Sequence, residues 1–482
     1  MLEDIVRERR KKLEAIREAG IDPYPARVAR SFEVARAIRD FEALAQSQGT
    51  VSLAGRLVGM RDQGKIVFAD VADESGKIQA VLKDGIAKEF EFWRTVLDLG
   101  DFISVTGPLF ATQKGEKSIE VHELRIASKS LLPLPDKWEG LENEETRLRK
   151  RYLELFASPD LRGLFRKKAV FWETFRNALK KEGFLEVEVP VMENLPGGAE
   201  AEPFKTHHNA LDADFYLRIS LELPLKKLLV GGFDRVFEIG RVFRNEGIDR
   251  EHLQDYTQLE FYWAYRDYHD AMKLTEKLYK KVIKAVVGGM VTTRGGQTID
   301  WSKKWKKVNY VKVFKAATGI DPAKAKREKL FAKAKELGLE VGESAGAGRL
   351  IDLIYKKTVR PTLIEPCFLV DPPVAIEPLA KRSPKNPDVV ERFQIVACGT
   401  ELGKGFSELN DPQDQRARFE EQMKLRAAGD AEAQHLDEDF LEAMEYGMPP
   451  AAGFGMSERF FAVLMDRPVR ETVFFPPMRP KK

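Results

Sequence analysis

The sequence predicts an α+β protein, with a small β-barrel near the N-terminus followed by a larger domain of antiparallel strands flanked by helices. Two observations predict this fold class. Short apolar runs separated by turn residues recur between about 49 and 130, which is typical of a small all-β domain. Beyond them, segments with helical spacing alternate with strand-like segments, and one pair of strands has the pattern of an antiparallel hairpin.

Length and composition restrict the class of protein. The 482 residues suffice for about three domains. With 79 Lys and Arg against 76 Asp and Glu, the formal net charge is +3, so any RNA contact must come from local patches. Cys367 and Cys398 exclude a disulfide framework and a thiolate zinc cluster, which favours a reducing compartment. There is neither a membrane-spanning apolar run nor a secretory or twin-arginine signal, so we expect a cytoplasmic protein.

Residues 1–48 are expected to form an N-terminal helical extension. Leu2, Leu13 and Ile16 are spaced as the apolar side of a basic amphipathic helix, which Gly20 ends. Two roles stay open for this helix: packing against a neighbouring domain, or contributing to RNA binding.

Residues 49–130 contain five apolar runs, which predict a small closed barrel of the oligonucleotide-binding type. The runs begin at Val51, Lys65, Ile78, Phe102 and Ser118. Such a barrel stacks single-stranded bases on aromatic side chains of its strand face. Phe68 is the candidate stacking residue, and Gln79 and Glu123 are candidates to read base edges. The alternative is that Phe68 belongs to the barrel core.

A proline-rich segment without periodicity indicates a hinge over 131–160, so the larger domain is expected over 161–482. Early in that domain, Leu164–Glu182 has helical spacing, and a strand over Phe184–Val189 follows. A Lys-rich and Ala-rich segment at about 288–349 is expected to be an inserted helical module.

Two alternating apolar runs, Arg235–Phe243 and Tyr256–Tyr262, flank a polar loop and predict an antiparallel hairpin with a long connection. Arginine offers a planar fork to a phosphate, glutamate can accept an exocyclic amine, and tyrosine gives a base a flat face, so the loop suits an adenine nucleotide. The alternative is an ordinary charged hairpin tip. The loop residues concerned are Arg244, Glu246, Arg250, His252 and Tyr256.

This hairpin resembles motif 2 of the class II aminoacyl-tRNA synthetases, through Phe243–Glu246 and through His252 followed by Tyr256. Asp255–Tyr262 resembles the lysyl branch of that family. Glu401–Asp411 is similar to the branch's Glu-Ile-Gly-Asn-Gly-Phe-Ser-Glu-Leu-Asn-Asp.

Two further segments extend the resemblance over most of the chain. Gly453–Arg459 resembles motif 3 in a version one residue shorter, and the helix and strand on either side of Gly183 resemble motif 1, which builds the dimer interface in the family. There is no P-loop, and neither signature of the class I synthetases is present.

The resemblance implies a class II catalytic domain that activates L-lysine with ATP, uses Mg²⁺, transfers lysine to its tRNA and forms a homodimer. It implies that Phe68, Gln79 and Glu123 meet the anticodon. Arg244 and Arg459 are the implied catalytic residues, and Glu401 is the implied metal ligand. The implied ATP-binding residues are Arg244, Glu246, His252, Tyr256, Glu401 and Arg459. The implied lysine-binding residues are Gly198, Glu222, Arg244, Glu260, Tyr262, Lys404 and Glu408.

Glu408 with Tyr262 is expected to hold the substrate ammonium group, because such a pocket needs a buried anion and acceptors. The alternative is that Glu408 belongs to an exposed polar turn. Two residues depart from the family. Gln394 stands where a second metal-binding glutamate is expected, and Lys404 stands where the family has asparagine near the substrate carboxylate.

The departures keep two alternatives open. Lys404 raises the alternative of a relative with changed amino-acid specificity. Gln394 and the shortened motif 3 raise that of a synthetase-like RNA-binding protein that activates nothing. A ligase that lysylates a protein is disfavoured, because such relatives lack the anticodon barrel.

Overall fold

The structure is a computed structural model, and it describes residues 2–47, 49–135, 143–247, 252–343, 345–429 and 433–480. The chain divides into two compact units, Met1–Glu144 and Glu145–Lys482. Residues 136–142 of the predicted hinge lie outside the described residues, and the finer domain boundaries stay predictions. In the part of the chain that is described, no helix is both long and apolar enough to cross a membrane.

The first unit combines short helices with a seven-stranded sheet. Its helices are α1 (Leu2–Glu18), α2 (Val34–Arg39), α3 (Phe41–Gln46) and α4 (Phe90–Val96). Its strands are β1 (Val51–Asp62), β2 (Ile66–Ala72), β3 (Lys77–Lys83), β4 (Phe102–Gly107), β5 (Leu109–Ala111), β6 (Lys117–Glu120) and β7 (Glu123–Ser128).

The sheet of the first unit closes into a barrel. Its order is β5-β6-β3-β2-β1-β4-β7. β6 pairs with β3 and β7 pairs with β4, while only Val121 and His122 separate β6 from β7 along the chain. The nearly continuous stretch formed by β6 and β7 therefore pairs with β3 at one end and with β4 at the other, which closes the sheet. The five predicted runs are confirmed as strands, and the prediction of a closed barrel is confirmed.

The second unit is built on an eight-stranded sheet. Its helices are α5 (Glu144–Arg149), α6 (Arg151–Ala157), α7 (Pro159–Lys181), α8 (Glu222–Val230), α9 (Tyr268–Val287), α10 (Tyr310–Thr318), α11 (Arg327–Glu336), α12 (Ala347–Thr358), α13 (Pro412–Ala427), α14 (Glu438–Glu445) and α15 (Arg459–Leu464). Short 3₁₀ helices span Arg360–Thr362, Val374–Ile376 and Val469–Thr472.

The strands of the second unit are β8 (Leu185–Glu186), β9 (Met192–Glu193), β10 (Lys205–His208), β11 (Ala213–Leu217), β12 (Arg235–Phe243), β13 (Asp255–Ala264), β14 (Val291–Arg294), β15 (Gln297–Asp300), β16 (Lys306–Asn309), β17 (Cys367–Val370), β18 (Arg392–Ala397), β19 (Thr400–Ser407) and β20 (Ala451–Ser457). The large sheet has the order β16-β17-β18-β19-β20-β13-β12-β8 and is antiparallel except at its two edge pairs. The predicted hairpin is confirmed as β12 and β13, and the predicted fold class is confirmed.

The start of the second unit differs from the prediction in two places. Helix α7 begins at Pro159, five residues before the predicted start, because Ser158 Oγ accepts a hydrogen bond from Leu161 N at 3.2 Å and proline suits the first turn. The predicted strand after it is only two residues long, since only Leu185 and Glu186 pair with β12.

The segment 288–349 is helical only in its second half. It begins with the hairpin of β14 and β15, whose turn is Gly295-Gly296 with φ of +55° and +80°. Two glycines of positive φ are typical of such a tight turn, so this signal was available in the sequence. β16 then pairs with β17 at the edge of the large sheet, and the helices α10, α11 and α12 follow.

Alternation along β13 separates the core from the opposite face of the sheet. Leu259 and Phe261 enter a large apolar core that also includes Phe175 of α7 and Tyr279 of α9. Because side chains of a strand alternate between faces, the residues between them point to the other side of the sheet. The candidate site lies on that side.

Candidate active site

Three neighbouring strands, β13, β20 and β19, form the floor of a cavity of about 360 Å³ in the second unit. Glycine has no side chain, so it leaves open space between larger side chains of adjacent strands. Two glycines of β20 lie between larger side chains of the adjacent strands. Gly453 is paired with Tyr262 and Phe406, and Gly455 is paired with Glu260 and Lys404.

Helix α12 supplies another wall of the cavity. Its residues Arg349, Asp352 and Lys356 line the cavity and recur at a spacing that places them on one side of a helix. α12 begins within the segment 288–349, for which no chemistry was predicted.

Glu260 lies in the cavity wall and is buried and fully hydrogen bonded. Its Oε1 accepts hydrogen bonds from Ser220 Oγ at 2.8 Å, Leu221 N at 3.0 Å and Gln258 Nε2 at 2.6 Å. Its Oε2 accepts from the hydroxyl of Tyr262 at 2.8 Å. Four donors on one carboxylate fix Glu260 in place and join β13 to the start of α8.

Lys226 of α8 lies between two buried glutamates. Its Nζ is 2.5 Å from Oε1 of Glu222 and 2.5 Å from Oε2 of Glu408. Burial disfavours the charge on Lys226, but the two carboxylates outweigh it and raise the pKa of Lys226 above its ordinary range. Burial raises the pKa of Glu222 to about 7 and the pKa of Glu408 well above its ordinary value, although Lys226 opposes both shifts. The three residues form one buried charged cluster.

Glu408 lies against Gly453 of β20, on the side of the strand that Tyr262 occupies. A Cβ atom on Gly453 would lie 2.1 Å from Oε1 of Glu408 and 2.5 Å from Cε1 of Tyr262, so only glycine fits there. Within the described residues, Oε1 of Glu408 accepts no hydrogen bond. A buried carboxylate oxygen without a donor is costly, so Oε1 of Glu408 has capacity for a further hydrogen bond. The structure places Glu408 in the interior, which excludes the exposed-turn alternative.

Gly198 lies directly against Glu222. Its φ is +82°, and a Cβ atom there would lie 3.0 Å from Cβ of Glu222 and 3.1 Å from Cβ of Ser220. Both the left-handed backbone and the close approach favour glycine at this position. Gly198 and Glu222 both line the cavity.

The two ends of the hairpin loop bring Arg244 and Tyr256 to the cavity. The guanidinium of Arg244 lies 5.7 Å from the centre of the Tyr256 ring, and its Nε donates to the carbonyl of Ile219 at 3.2 Å. Tyr256 lines the cavity, and burial raises the pKa of its phenol above the ordinary value. An arginine beside an aromatic ring that lines a cavity suits a phosphate next to a base.

Glu246 and His252 lie farther along the loop, beyond the residues that line the cavity. Gln254 Nε2 donates to the carbonyls of Glu246 at 3.3 Å and Gly247 at 3.1 Å, which holds the loop together. Arg250 lies outside the described residues.

Arg459 is the first residue of α15 and lines the cavity where β20 ends. The residue before it, Glu458, accepts a hydrogen bond from Thr257 N at 3.3 Å and forms an ion pair with Lys168. These contacts hold the junction between strand and helix. The shortened motif 3 therefore still places a strand directly before the helix of Arg459.

A cationic group lies beside Gly455. Lys404 Nζ donates to Oε2 of Glu377 at 3.0 Å, and Nε of Arg392 lies 3.3 Å from the same oxygen. Burial opposes the charge on Lys404, but Glu377 raises its pKa above the ordinary value. Lys404 and Arg392 therefore share the negative charge of Glu377.

Glu401 is the predicted metal ligand. Burial opposes its charge, but nearby cations, Arg392 foremost, lower its pKa below the ordinary value and keep it an ionised oxygen donor. Gln394, paired with Lys404 across β18 and β19, adds no charge. Among the described residues, no three His, Cys, Asp or Glu side chains form a metal-binding group. Because Mg²⁺ is usually held by one or two carboxylates plus substrate phosphates, these donors fit an ion that Glu401 shares with a phosphate.

In the first unit, Phe68 is half-buried and lies outside the apolar core of the barrel. Arg61 lies over its ring at 5.8 Å. Gln79 shares that face on the adjacent strand β3, but it is 4% exposed and donates to Glu116 at 3.1 Å. Glu123 lies on β7, separated from β2 by β1 and β4. The structure thus places Phe68 and Gln79 on one face of adjacent strands, and Glu123 on β7, where it pairs with Thr106 of β4.

Four residues that shape the site were not predicted: Lys226, Glu377, Arg392 and Gly453. Lys226 follows Glu222 by four residues, a spacing that places both on the same side of a helix and was visible in the sequence. Glu377 and Arg392 gave no comparable local signal, because their contact depends on chain segments that meet only in the folded sheet.

The family described as tRNA synthetases class II (D, K and N) matches residues 143–479 of this chain. The family described as OB-fold nucleic acid binding domain matches residues 51–127. The chain therefore belongs to the class II tRNA synthetases, and the resemblance of its motifs is confirmed.

The relatives of this chain carry a more specific name than the family does. It is 45% identical to the lysine–tRNA ligase of Roseiflexus castenholzii over the full length of both chains. It is 45% identical to the lysine–tRNA ligase of Carboxydothermus hydrogenoformans, over 100% of this chain and 99% of the relative. The corresponding protein of Staphylococcus aureus is 41% identical over 98% of both.

Gly453→Ala is expected to lower the midpoint of thermal unfolding of the second unit. The added methyl group would overlap Glu408 and Tyr262, and overpacking a buried site typically costs about 1–3 kcal/mol. Gly455→Ala is the matched control on the same strand, because its nearest contact would be an ordinary 3.4 Å. Equal midpoints for the two variants, measured by scanning calorimetry, would contradict the close approach of Glu408.

Proposed function

We propose that the protein is a lysine–tRNA ligase, which activates L-lysine with ATP to lysyl-adenylate and transfers the lysyl group to the 3′ end of the lysine-specific tRNA. The family and the full-length relatives support this proposal. The observation that carries it is the group of three buried carboxylates at the cavity: Glu222 and Glu260 line it, and Glu408 lies against the lining residue Gly453. A substrate with two ammonium groups is the amino acid that these carboxylates suit.

The two sides of the cavity differ in charge. Glu222 and Glu408 share one internal cation, whereas Lys404 and Arg392 share one internal carboxylate. The α-amino group would lie beside Glu222 and the side-chain ammonium beside Glu408 and Tyr262. The substrate carboxylate would then face the cationic side, where Lys404 and Arg244 would hold it.

Activation joins the substrate carboxylate to the α-phosphorus of ATP and expels pyrophosphate. The carboxylate is already ionised at neutral pH, so the protein needs no general base and acts by positioning and charge neutralisation. Arg244 would bridge the carboxylate and the α-phosphate, and Arg459 would hold the γ-phosphate. Tyr256 would stack on adenine, with Glu246 as acceptor of its amine and His252 nearby in the loop.

Mg²⁺ bound by Glu401 together with the phosphates of ATP would neutralise charge on the leaving pyrophosphate. In the second step, a hydroxyl of the terminal adenosine of tRNA attacks the carbonyl carbon of the adenylate, and AMP leaves. The barrel would hold the anticodon, with Phe68 stacking on a base and Gln79 and Glu123 contacting base edges.

We also propose a homodimer through the segment that resembles motif 1. Strand β8 is an edge of the large sheet, and Leu185 on it is 48% exposed. Val170 of α7 and Met192 are also exposed apolar residues of this segment. An exposed apolar strand at a sheet edge favours pairing with a second chain.

ATP–pyrophosphate exchange with each of the twenty amino acids tests the proposed function. Exchange that depends on lysine alone is the expected result. Exchange with a different amino acid would indicate changed specificity, which Lys404 raises as the alternative. Absence of exchange with every amino acid would favour an RNA-binding protein without activation.

Glu408→Gln is expected to raise the KM for lysine about ten- to a thousandfold, equivalent to roughly 1.4–4 kcal/mol, because the substrate ammonium loses its charged partner. The KM for ATP should change little. Both constants are measured by pyrophosphate exchange. Lysine activation equal to that of the parent would place the ammonium pocket elsewhere.

Phe68→Ala is expected to weaken tRNA aminoacylation by about 1–3 kcal/mol, the typical contribution of one base stack, and to leave pyrophosphate exchange intact. Phe68→Tyr, which keeps a stacking face, is the matched control. An equal loss of Phe68→Ala activity in both assays would instead indicate a damaged barrel.

Gln394→Glu is expected to lower the Mg²⁺ concentration needed for half-maximal exchange, because it adds a carboxylate on the strand next to that of Glu401. Gln394→Met, which removes the amide and adds no charge, should not lower it. A Mg²⁺ titration of Gln394→Glu that matches the parent would show that this position is not a metal ligand.

A further inference from the structure

Lys226 is the buried cation between Glu222 and Glu408, and it does not itself line the cavity. Its side chain is completely buried, and its Nζ lies 2.5 Å from each of Glu222 and Glu408. Glu222 belongs to the same helix turn, whereas Glu408 follows β19 and is distant in sequence. One ammonium group therefore holds two carboxylates that come from different parts of the chain.

The surroundings of Lys226 are those that an alkylammonium group prefers. Its Nζ lies 5.9 Å from the ring centre of Tyr262, 5.4 Å from that of Phe406 and 5.9 Å from that of Phe440. Rings at this distance attract a cation through their faces. Tyr262 and Phe406 also line the cavity, so the internal ammonium and a substrate ammonium would share one aromatic boundary.

The charges of the cluster cancel only if one of its two carboxylates is protonated. Two carboxylates with one ammonium carry one negative charge when both carboxylates are ionised, and Oε1 of Glu408 accepts no hydrogen bond within the described residues. A buried uncompensated charge is costly. The cluster can therefore take a further cation at Oε1 of Glu408, beside Gly453.

We propose that Lys226 is a positioning residue for substrate selection, which neutralises one of the two carboxylates and fixes Glu408 where the side-chain ammonium of the substrate would bind. This inference rests on the proposed function. A substrate side chain without an ammonium leaves the cluster with an uncompensated charge and is rejected. Without Lys226, two adjacent buried carboxylates repel each other, and neither keeps its position or its charge.

Chemical rescue of Lys226→Ala tests this role. Truncation to alanine removes the three carbons and the nitrogen of propylammonium, and it should raise the lysine KM in pyrophosphate exchange about 10- to 1,000-fold with little change in the ATP KM. Added n-propylammonium should lower the lysine KM of the variant, whereas n-propanol should not. In the parent chain, n-propylammonium should only compete with lysine.

Two further variants serve as controls. Lys227→Ala removes the same atoms from the adjacent lysine of α8, outside the cluster, and should keep the lysine KM within about twofold of the parent. Lys226→Met keeps the length of the side chain without its charge, and it replaces Lys226→Ala if the alanine variant does not fold.

A folded Lys226→Met or Lys226→Ala variant with the lysine KM of the parent would overturn the proposal. So would a Lys226→Ala variant that unfolds at the temperature of the parent but is not rescued by n-propylammonium. Lack of lysine-dependent exchange in the parent chain would contradict the proposed function instead, so the two failures are distinguishable.

Discussion

The burial of three carboxylates at the cavity, of which Glu222 and Glu260 line it and Glu408 lies against Gly453, is the constraint on which the rest of the site depends. Each carboxylate removed from water needs compensation. Glu260 has four hydrogen-bond donors, while Glu222 and Glu408 share Lys226. The need to compensate these charges determines where α8 begins and which side of β13 faces the cavity. It also explains why β20 has a glycine at the position that Glu408 contacts.

The glycines of β20 also separate two kinds of charge. Carboxylates of β13 and α8 lie on one side, and the cationic group that includes Lys404 and Arg392 lies on the other. In an amino acid with a cationic side chain, the ammonium groups could face the carboxylates of the protein while the substrate carboxylate faces the cationic group. The same separation would bring the substrate carboxylate toward Arg244, where the α-phosphate of ATP is expected.

Lys404 of β19 and Gln394 of β18 form a cross-strand pair. Lys404 donates to Glu377, so its charge is partly compensated within the protein. Lys404 therefore joins Arg392 in a group that already binds the carboxylate of Glu377. Its charge does not by itself oppose an ammonium group of the substrate on the far side of β20. This arrangement weakens the reading of Lys404 as a sign of changed amino-acid specificity.

The sequence by itself determined the elements whose signals are local. Alternation identified the hairpin of β12 and β13, turn spacing identified the barrel, and contiguous motifs identified the family and several residues that line the cavity. Only the tertiary structure decided which carboxylates are compensated and by what. Lys226 and Glu408 are separated by 182 positions in the numbering, and Glu377 meets Arg392 through the folded sheet. Charge pairing depends on distance in space and on burial, and neither is encoded in local spacing.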